Sequence, residues 1–291
     1  MKQLIVNADD FGRAPGVNRG ILEAYEAGIV TSTTVMINYP DAAPGLEQAL
    51  AKAPDLGIGL HLNLTAGYPV LPAERIPSLV KEDGQFVHIR DWAGHMAAFE
   101  PEHVRAELVA QLDRYLSLAG RPPDHLDSHH HGAYLHPDAL SVVLEIAHRY
   151  NIPMRDTKFD ALDGPLDRAL AELANVVPGV PALLAQNLIE RLQQVLTQGP
   201  PPFCPARLEM GFFEDHATLG DLLVILTTLP EDRPTELMCH PGYVDEALGT
   251  SGYLYPRERE IGHLTHPATL ECIRSEGISL INFGDLARSA A

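Results

Sequence analysis

The sequence predicts an α/β fold, a distorted or incomplete (β/α) barrel of about seven parallel strands with its active site at the C-terminal strand ends. Three observations carry this prediction. Short apolar, β-branched runs alternate with helical segments, an order that pairs strands in parallel through right-handed crossovers. Acidic and histidine residues gather where those runs stop, at the end of a parallel sheet that hosts chemistry. The first run is not followed by G-x-G-x-x-G, which disfavours an open dinucleotide-binding sheet.

Taken in order, Leu4-Ile5-Val6 reads as a buried strand that stops at Asn7-Ala8-Asp9-Asp10-Phe11-Gly12. Pro15-Gly16-Val17-Asn18-Arg19-Gly20 leads into a helix whose apolar face, Ile21, Leu22, Ala24 and Tyr25, closes at Gly28. The β-branched stretch Thr31 to Ile37 is the second strand, and Pro40 to Ala53 is helical. Leu56 to Asn63 is the third strand, with glycines where backbones approach closely. From Thr65 to Glu100 the alternation fails, in a segment rich in proline, glycine and charge that holds the only tryptophan, Trp92. A connection this long inside a compact domain points to a lid or binding loop.

Pro101 suits the first position of a helix in which Val104, Leu108, Leu112 and Leu116 recur every fourth residue, ended by Gly120-Arg121-Pro122-Pro123. Asp124 to Ser128 is a short strand running into His129-His130-His131-Gly132; a helix from about Pro137 to Tyr150 follows, then a short strand, Ile152-Pro153-Met154-Arg155. Residues 160–205, rich in alanine, leucine, glutamine and proline, read as a helical excursion, with Val180 to Thr197 helical. That excursion is the candidate subunit contact of a homodimer. Beyond it come a helix over Ala217 to Thr228, the strand Thr235 to Cys239 running into His240-Pro241-Gly242, and a loop with Tyr243, Tyr253 and Tyr255. A helix over Pro267 to Ser275 and the strand Ile278 to Asn282 finish the pattern, and no internal repeat of fixed period is present.

At 291 residues, 45% of them apolar, the chain suffices for one sizeable core, so a single domain over residues 1–291 is expected. The N-terminus does not resemble a signal peptide and no run of about 18 apolar residues occurs, so a soluble, cytoplasmic protein is expected. Cys204, Cys239 and Cys272 form no CxxC pair and read as small core residues rather than zinc ligands or disulfide partners. A formal charge of −18 argues against nucleic acid or anionic membrane as a partner and suits a neutral or cationic substrate.

Four strand ends carry Asp9-Asp10, His61, His129-His130-His131 and His240. In a parallel barrel such positions converge on one pocket. Two adjacent carboxylates need a cation or a shared proton to relieve their repulsion. One carboxylate and two imidazoles from three strand ends make a facial set with open positions, as a catalytic metal site requires. Consecutive residues diverge from a strand, so one of Asp9 and Asp10 ligates while the other stays free as a base. Each residue has a plainer reading: His61 as a hydrogen-bonded core histidine, Asp10 as a helix cap, the His cluster as a solvated loop, His240 as a turn residue. Their joint occurrence favours a shared hydrolase site.

Asn7 to Gly12, Gly28 to Thr34, Gly59 to Thr65, His125 to His131 and Glu236 to Gly242 resemble, in order, the successive motifs of the YdjC/ChbG-like carbohydrate deacetylases. The resemblance runs from about residue 3 to 283, and only Asp160 to Pro205 lacks family features. It implies the distorted barrel, a divalent ion usually taken as Mg²⁺, and removal of acetyl groups from N-acetylated sugars such as chitooligosaccharides. It further implies Asp10, His61 and His129 as metal ligands, Asp9 as catalytic base and His240 as the acid. Those residue types fit the chemistry, since an amide nitrogen leaves poorly unless protonated. Ligand type pulls the other way on the metal: two imidazoles and a carboxylate suit Zn²⁺, Co²⁺ or Mn²⁺ better than oxygen-seeking Mg²⁺.

Around this set, Asp127 and His131 are candidates to orient a ligating imidazole, packing being the plainer role for Asp127. Arg155 is a candidate for a sugar hydroxyl or the oxyanion, against an ion pair with Asp156 or Asp160. Trp92 and Tyr253 are candidates to stack on a sugar, against simple packing. Two other functions stay open on the residues. One is a metal-dependent phosphoesterase, disfavoured because no lysine or arginine cluster surrounds the strand ends. The other is a non-catalytic sugar- or metal-binding protein.

Overall fold

The computed structural model describes residues 1–156, 177, 179–198, 201, 203–205, 207–249 and 251–290. Among these, seven strands form one sheet: β1 (Gln3–Phe11), β2 (Ser32–Val35), β3 (Gly57–Leu62), β4 (Leu126–Ser128), β5 (Arg207–Glu209), β6 (Pro234–Cys239) and β7 (Ser279–Leu280). The order is β4-β3-β2-β1-β6-β5, every pairing is parallel, and β7 joins the lower end of β1. The sheet curls into a half-barrel, so that Arg155, beside β4, reaches Glu236 on β6 at 2.7 Å and Asp9 on β1 at 2.6 Å.

Helices cover the outer face: α1 (Pro15–Glu26), α2 (Ala42–Lys52), α3 (Pro101–Ala119), α4 (Pro137–Tyr150), α5 (Ala182–Thr197), α6 (Leu219–Thr227), α7 (Tyr255–Leu264), α8 (Pro267–Ser275) and α9 (Phe283–Ala290). Prolines 15, 101, 137 and 267 open α1, α3, α4 and α8, where a missing N–H costs nothing. Gly120, at φ 67°, closes α3 in the left-handed conformation that glycine adopts without strain. Among the described residues no helix is long and apolar enough to cross a membrane.

Several elements differ from the sequence-based expectation, each for a physical reason. The first strand does not stop at Val6 but carries on through both acids to Phe11, because those acids are buried rather than solvated. The segment at Ile152 is no strand; it contributes a single bridge, Met154 to Leu126. Its place in the tally goes to β5, in which only Leu208 is buried, so no apolar run announces it. Helices α7 and α9 were not anticipated. The Tyr255–Leu264 stretch is so rich in charge that it reads as a loop, although Arg257, Glu260, Ile261 and Leu264 are buried. Of the 160–205 excursion, α5 is present as expected, and most of the remainder, with the subunit contact expected of it, lies outside the described residues. Cys239 is buried, while Cys204 and Cys272 are only half-buried at the edge of the core.

The 65–100 connection packs rather than dangles. Ile76, Leu79, Phe86, Val87, Trp92, Met96 and Phe99 are all buried in it. The carboxylate of Glu107, itself buried in α3, accepts the N–H groups of Val70 and Leu71 at 2.9 and 3.0 Å and pins the start of the segment. Trp92 is wholly inside, its Nε1 donating to the Val87 carbonyl at 3.0 Å and its ring edge-on to Phe99. A fully enclosed indole has no face to offer a sugar, which corrects the stacking role expected of it.

The turn that follows β6 is held by close backbone approach. At Gly20 of α1 a Cβ would stand 2.6 Å from Gly242 Cα, too close for any side-chain adjustment to absorb. Gly20→Ala is therefore expected to destabilise the fold by about 1–3 kcal/mol, the usual penalty of overpacking. Urea denaturation measures this, and an unchanged midpoint would refute the argument.

Candidate active site

The site begins with an irregularity in β1. Asn7 and Ala8 pair with Ser32 and Thr33, but the register slips before Phe11 meets Val35. Asp10 sits in that slip at φ 72°, a left-handed conformation that Asp tolerates better than most residues. In a regular strand Asp9 and Asp10 would face opposite sides. The slip instead brings both buried carboxylates within 4.8 Å of the same imidazole, His61.

There Asp10 meets the two imidazoles. Asp10 Oδ1 lies 3.0 Å from His129 Nδ1 and 3.6 Å from His61 Nε2, and the two nitrogens are 3.2 Å apart. Donors held at about 2.1 Å around one ion stand about 3.0 Å apart at right angles and about 3.4 Å at the tetrahedral angle. The spacing therefore fits a single divalent cation. Asp10 Oδ1 is also buried without an aligned hydrogen-bond donor, which is anomalous for a carboxylate unless a cation serves it.

The candidate ligands are supported unequally. His61 and Asp127 are register partners on β3 and β4, and His61 Nδ1 lies 2.6 Å from Asp127 Oδ1, which leaves Nε2 facing the ion position. Thr34 on β2 donates to the other Asp127 oxygen at 2.8 Å. Burial opposes the charged form of His61, but Asp127, with Asp9 and Asp10 beyond it, outweighs burial and raises its pKa. His129 lacks such a partner; burial lowers it to about 4 against the pull of Asp10. Asp10 itself is held well below the usual carboxylate range, because His129 and Arg257 overcome the cost of burying it. His130 and His131, at φ 53° and 55°, turn the chain sharply after His129. The His131 ring lies alongside Tyr134, 6.3 Å between centroids, whereas the orienting contact on His61 comes from Asp127.

Beside the ion position stands a second group. Arg155 grips both oxygens of Asp9 at 2.6 and 2.7 Å, and also meets Glu236 at 2.7 Å and Asp127 at 3.2 Å. Burial works against an ionised Asp9, but Arg155 more than reverses it and keeps the carboxylate charged. This overturns the substrate-binding role expected of Arg155: the guanidinium is fully buried and committed to carboxylates on β1, β4 and β6. It also disfavours a second ion among Asp9, His61 and Asp127, since Arg155 already supplies positive charge there. Glu236 is pushed up to about 7 by burial, with Arg155 opposing.

His240 Nε2 lies 3.9 Å from Asp9 Oδ2, and burial lowers this imidazole to about 4 despite Asp9 and Asp10. Tyr253 and Phe213 wall it in, their ring centroids 5.3 and 5.4 Å from its own. Phe213 stacks on Tyr253 at 4.6 Å and the Arg257 guanidinium lies over the same ring. Tyr253 is thus a packed wall of the site rather than an open stacking platform. The structure therefore gathers Asp9, Asp10, His61, His129, His240 and Asp127, with Tyr253 beside them, and leaves Trp92 in the core.

Sequence reasoning missed Arg13, Glu236, Arg257 and Glu260. Arg13 NH1 lies 3.5 Å from Asp10 Oδ2, and Arg257 NH2 donates to the same oxygen. Glu236 stands inside a quoted motif, and its charge in a strand buried from Thr235 to Cys239 was the available signal. The other three sit in stretches that look solvated.

A family model described as YdjC-like protein matches residues 3–275. Among curated relatives, a carbohydrate deacetylase of Thermoanaerobacter pseudethanolicus is 36% identical, over 98% of this chain and 100% of its own length. A chitooligosaccharide deacetylase of Yersinia enterocolitica is 32% identical over 98% and 99% of the two chains. The crystal structure of an Enterococcus faecalis protein, named for cellobiose-phosphate cleavage, superposes with a TM-score of 0.77 at 33% identity, covering 98% of each chain.

If Asp127 fixes His61 for an ion, Asp127→Asn should weaken Zn²⁺ or Co²⁺ binding about 10- to 100-fold. Since a protonated His61 cannot ligate and its pKa is raised, binding should release a proton and weaken as pH falls. Calorimetric titration at several pH values reads both; an unaltered affinity in the variant would remove Asp127 from this role.

Proposed function

The chain belongs to the YdjC-like protein family, and from that premise we propose that it is a metal-dependent carbohydrate deacetylase, hydrolysing the acetamide of an N-acetylated sugar or chitooligosaccharide. The observation that carries the reading is the convergence of Asp10, His61 and His129 at 3.0–3.6 Å, with Asp9 and His240 against the same hollow. Asp10, His61 and His129 would hold a divalent cation, which would supply Lewis acidity to the attacking water and the acetyl carbonyl. This donor set favours Zn²⁺, Co²⁺ or Mn²⁺ over Mg²⁺, and we infer a transition metal on that ground.

Asp9, kept ionised by Arg155, takes the proton of the attacking water at Oδ2. His240 rests neutral and becomes an acid only once it gains a proton. Its Nε2 stands 3.9 Å from Asp9 Oδ2, so the proton that Asp9 accepts has a short path to it. His240 then protonates the departing amine nitrogen as the C–N bond breaks, leaving acetate and the free amino sugar. The buried arginines of the site are already paired with Asp9 and Asp10, so neither is available to clamp a phosphate. That counts against the phosphoesterase alternative.

Acetate release from N-acetylglucosamine and its oligomers, with Zn²⁺, Co²⁺, Mn²⁺ and Mg²⁺ in turn, tests the reading. Asp9→Asn should lower turnover at least about 100-fold while metal stoichiometry is unchanged. A rate preserved in that variant would remove Asp9 as base, and phosphate release in place of acetate would sink the deacetylase reading.

A further inference from the structure

The two histidines that matter most for proton and metal chemistry are held in different ways. His61 has a carboxylate on its ring, 2.6 Å from Nδ1. The His240 ring has none: its Nδ1 is buried without a hydrogen-bond partner. What holds His240 instead is helix α7, through its main chain. Glu260, fully buried, accepts the His240 N–H on Oε2 at 2.5 Å and the Tyr253 hydroxyl on Oε1 at 2.5 Å. Arg257, three residues earlier on the same helix face, lies 3.4 Å from the His240 carbonyl through NH1 and donates from Nε to the Tyr253 carbonyl at 2.9 Å.

The same two residues also support the ring. Tyr253 and Phe213 are the aromatic walls of His240, Tyr253 is bonded to Glu260, and Phe213 stacks on Tyr253. Removing the Glu260 carboxylate would therefore release the His240 main chain and loosen its side-chain walls together. Burying a carboxylate is costly unless its hydrogen bonds are fully used, and here both oxygens are spent on the surroundings of one imidazole.

We propose that Glu260, assisted by Arg257, is the positioning residue for His240, fixing the imidazole where it delivers a proton to the leaving nitrogen. The proposal rests on the deacetylase reading for the reaction it serves. It predicts a defect confined to leaving groups that need a proton.

The test compares Glu260→Ala, Glu260→Gln and wild type, each as the full chain loaded with Co²⁺. Acetate release from N-acetylglucosamine oligomers should fall about 10- to 100-fold in kcat in Glu260→Ala, with KM and Co²⁺ affinity little changed. Hydrolysis of 4-nitrophenyl acetate, whose phenolate leaves without protonation, should change little. Glu260→Gln, whose amide oxygen still accepts the His240 N–H, should recover most of the lost rate. Equal losses on both substrates, or an Ala variant as fast as wild type on the amide, would overturn the proposal. The His240 ring resonances of the metal-free protein give a readout without turnover and should broaden or split in Glu260→Ala. If wild type releases no acetate from any acetylated sugar, the deacetylase reading falls, and unchanged ring resonances would overturn the Glu260 assignment independently.

Discussion

One buried guanidinium organises this molecule. Arg155 lies at the centre of the curled sheet, without solvent contact, and joins Asp9 on β1, Asp127 on β4 and Glu236 on β6. A charge in that position persists only when paired, and breaking such a buried pair costs about 3–5 kcal/mol because the partner charge is stranded. Arg155 also resolves the problem posed by Asp9 and Asp10 as neighbours. Asp9 is neutralised by a permanent cation that belongs to the fold, while Asp10 turns Oδ1 toward the imidazoles with no aligned donor of its own. Both acids are thereby held charged, Asp9 by Arg155 on both oxygens and Asp10 by Arg257 and Arg13 on Oδ2 alone, which leaves Asp10 Oδ1 as the oxygen of the pair that no arginine serves.

That arrangement dictates an unusual interior. Barrels normally fill their centres with branched aliphatic residues. Here Asn7, His125, Asp127, Arg155 and Glu236 are all buried, and each draws on another. His125 donates from Nε2 to Asn7 Oδ1 at 3.0 Å and stacks on Phe283 at 3.8 Å between centroids. Gly59 makes room for it, since a Cβ there would fall 2.6 Å from the imidazole. Asn7 in turn donates to Asp9 at 2.9 Å. In a low dielectric such bonds couple their members, so Asn7, Asp127 and Arg155 together fix the places of Asp9 and His61.

This explains what could and could not be read from the chain. Residues at strand ends, Asp10, His61, His129 and His240, were legible because parallel topology forces such ends together whatever their separation in sequence. The distorted barrel was legible from the alternation of strands and helices, from the polar residues at the strand ends and from the missing G-x-G-x-x-G turn. That Asp9 and Asp10 share one site was expected as well, but the register slip that turns both inward was not, because no periodicity reveals it. Arg155 read as a substrate-binding cation or as the partner of nearby Asp156 or Asp160, since the partners it grips lie 146, 28 and 81 residues away. Strand β5 has one buried residue, and α7 hides its inward face among charges, so Arg257 and Glu260 had no hydrophobic signature to betray burial.

The three imidazoles around the hollow show how the same side chain is given different work by its surroundings. Burial penalises the charged form of all of them. Only His61 has a carboxylate, Asp127, aligned on its ring, and only His61 is raised. The same contact that raises it makes Nε2 a stronger donor to an ion, because the proton on Nδ1 is shared with Asp127. His129 and His240 fall to about 4 and rest neutral, the first beside Asp10, the second beside Asp9. Groups of one chemical type whose environments push their pKa values apart mark a division of roles. Here the division follows from where the fold places its carboxylates: one on an imidazole ring, one beside the ion position, and one, Glu260, on a histidine's main chain.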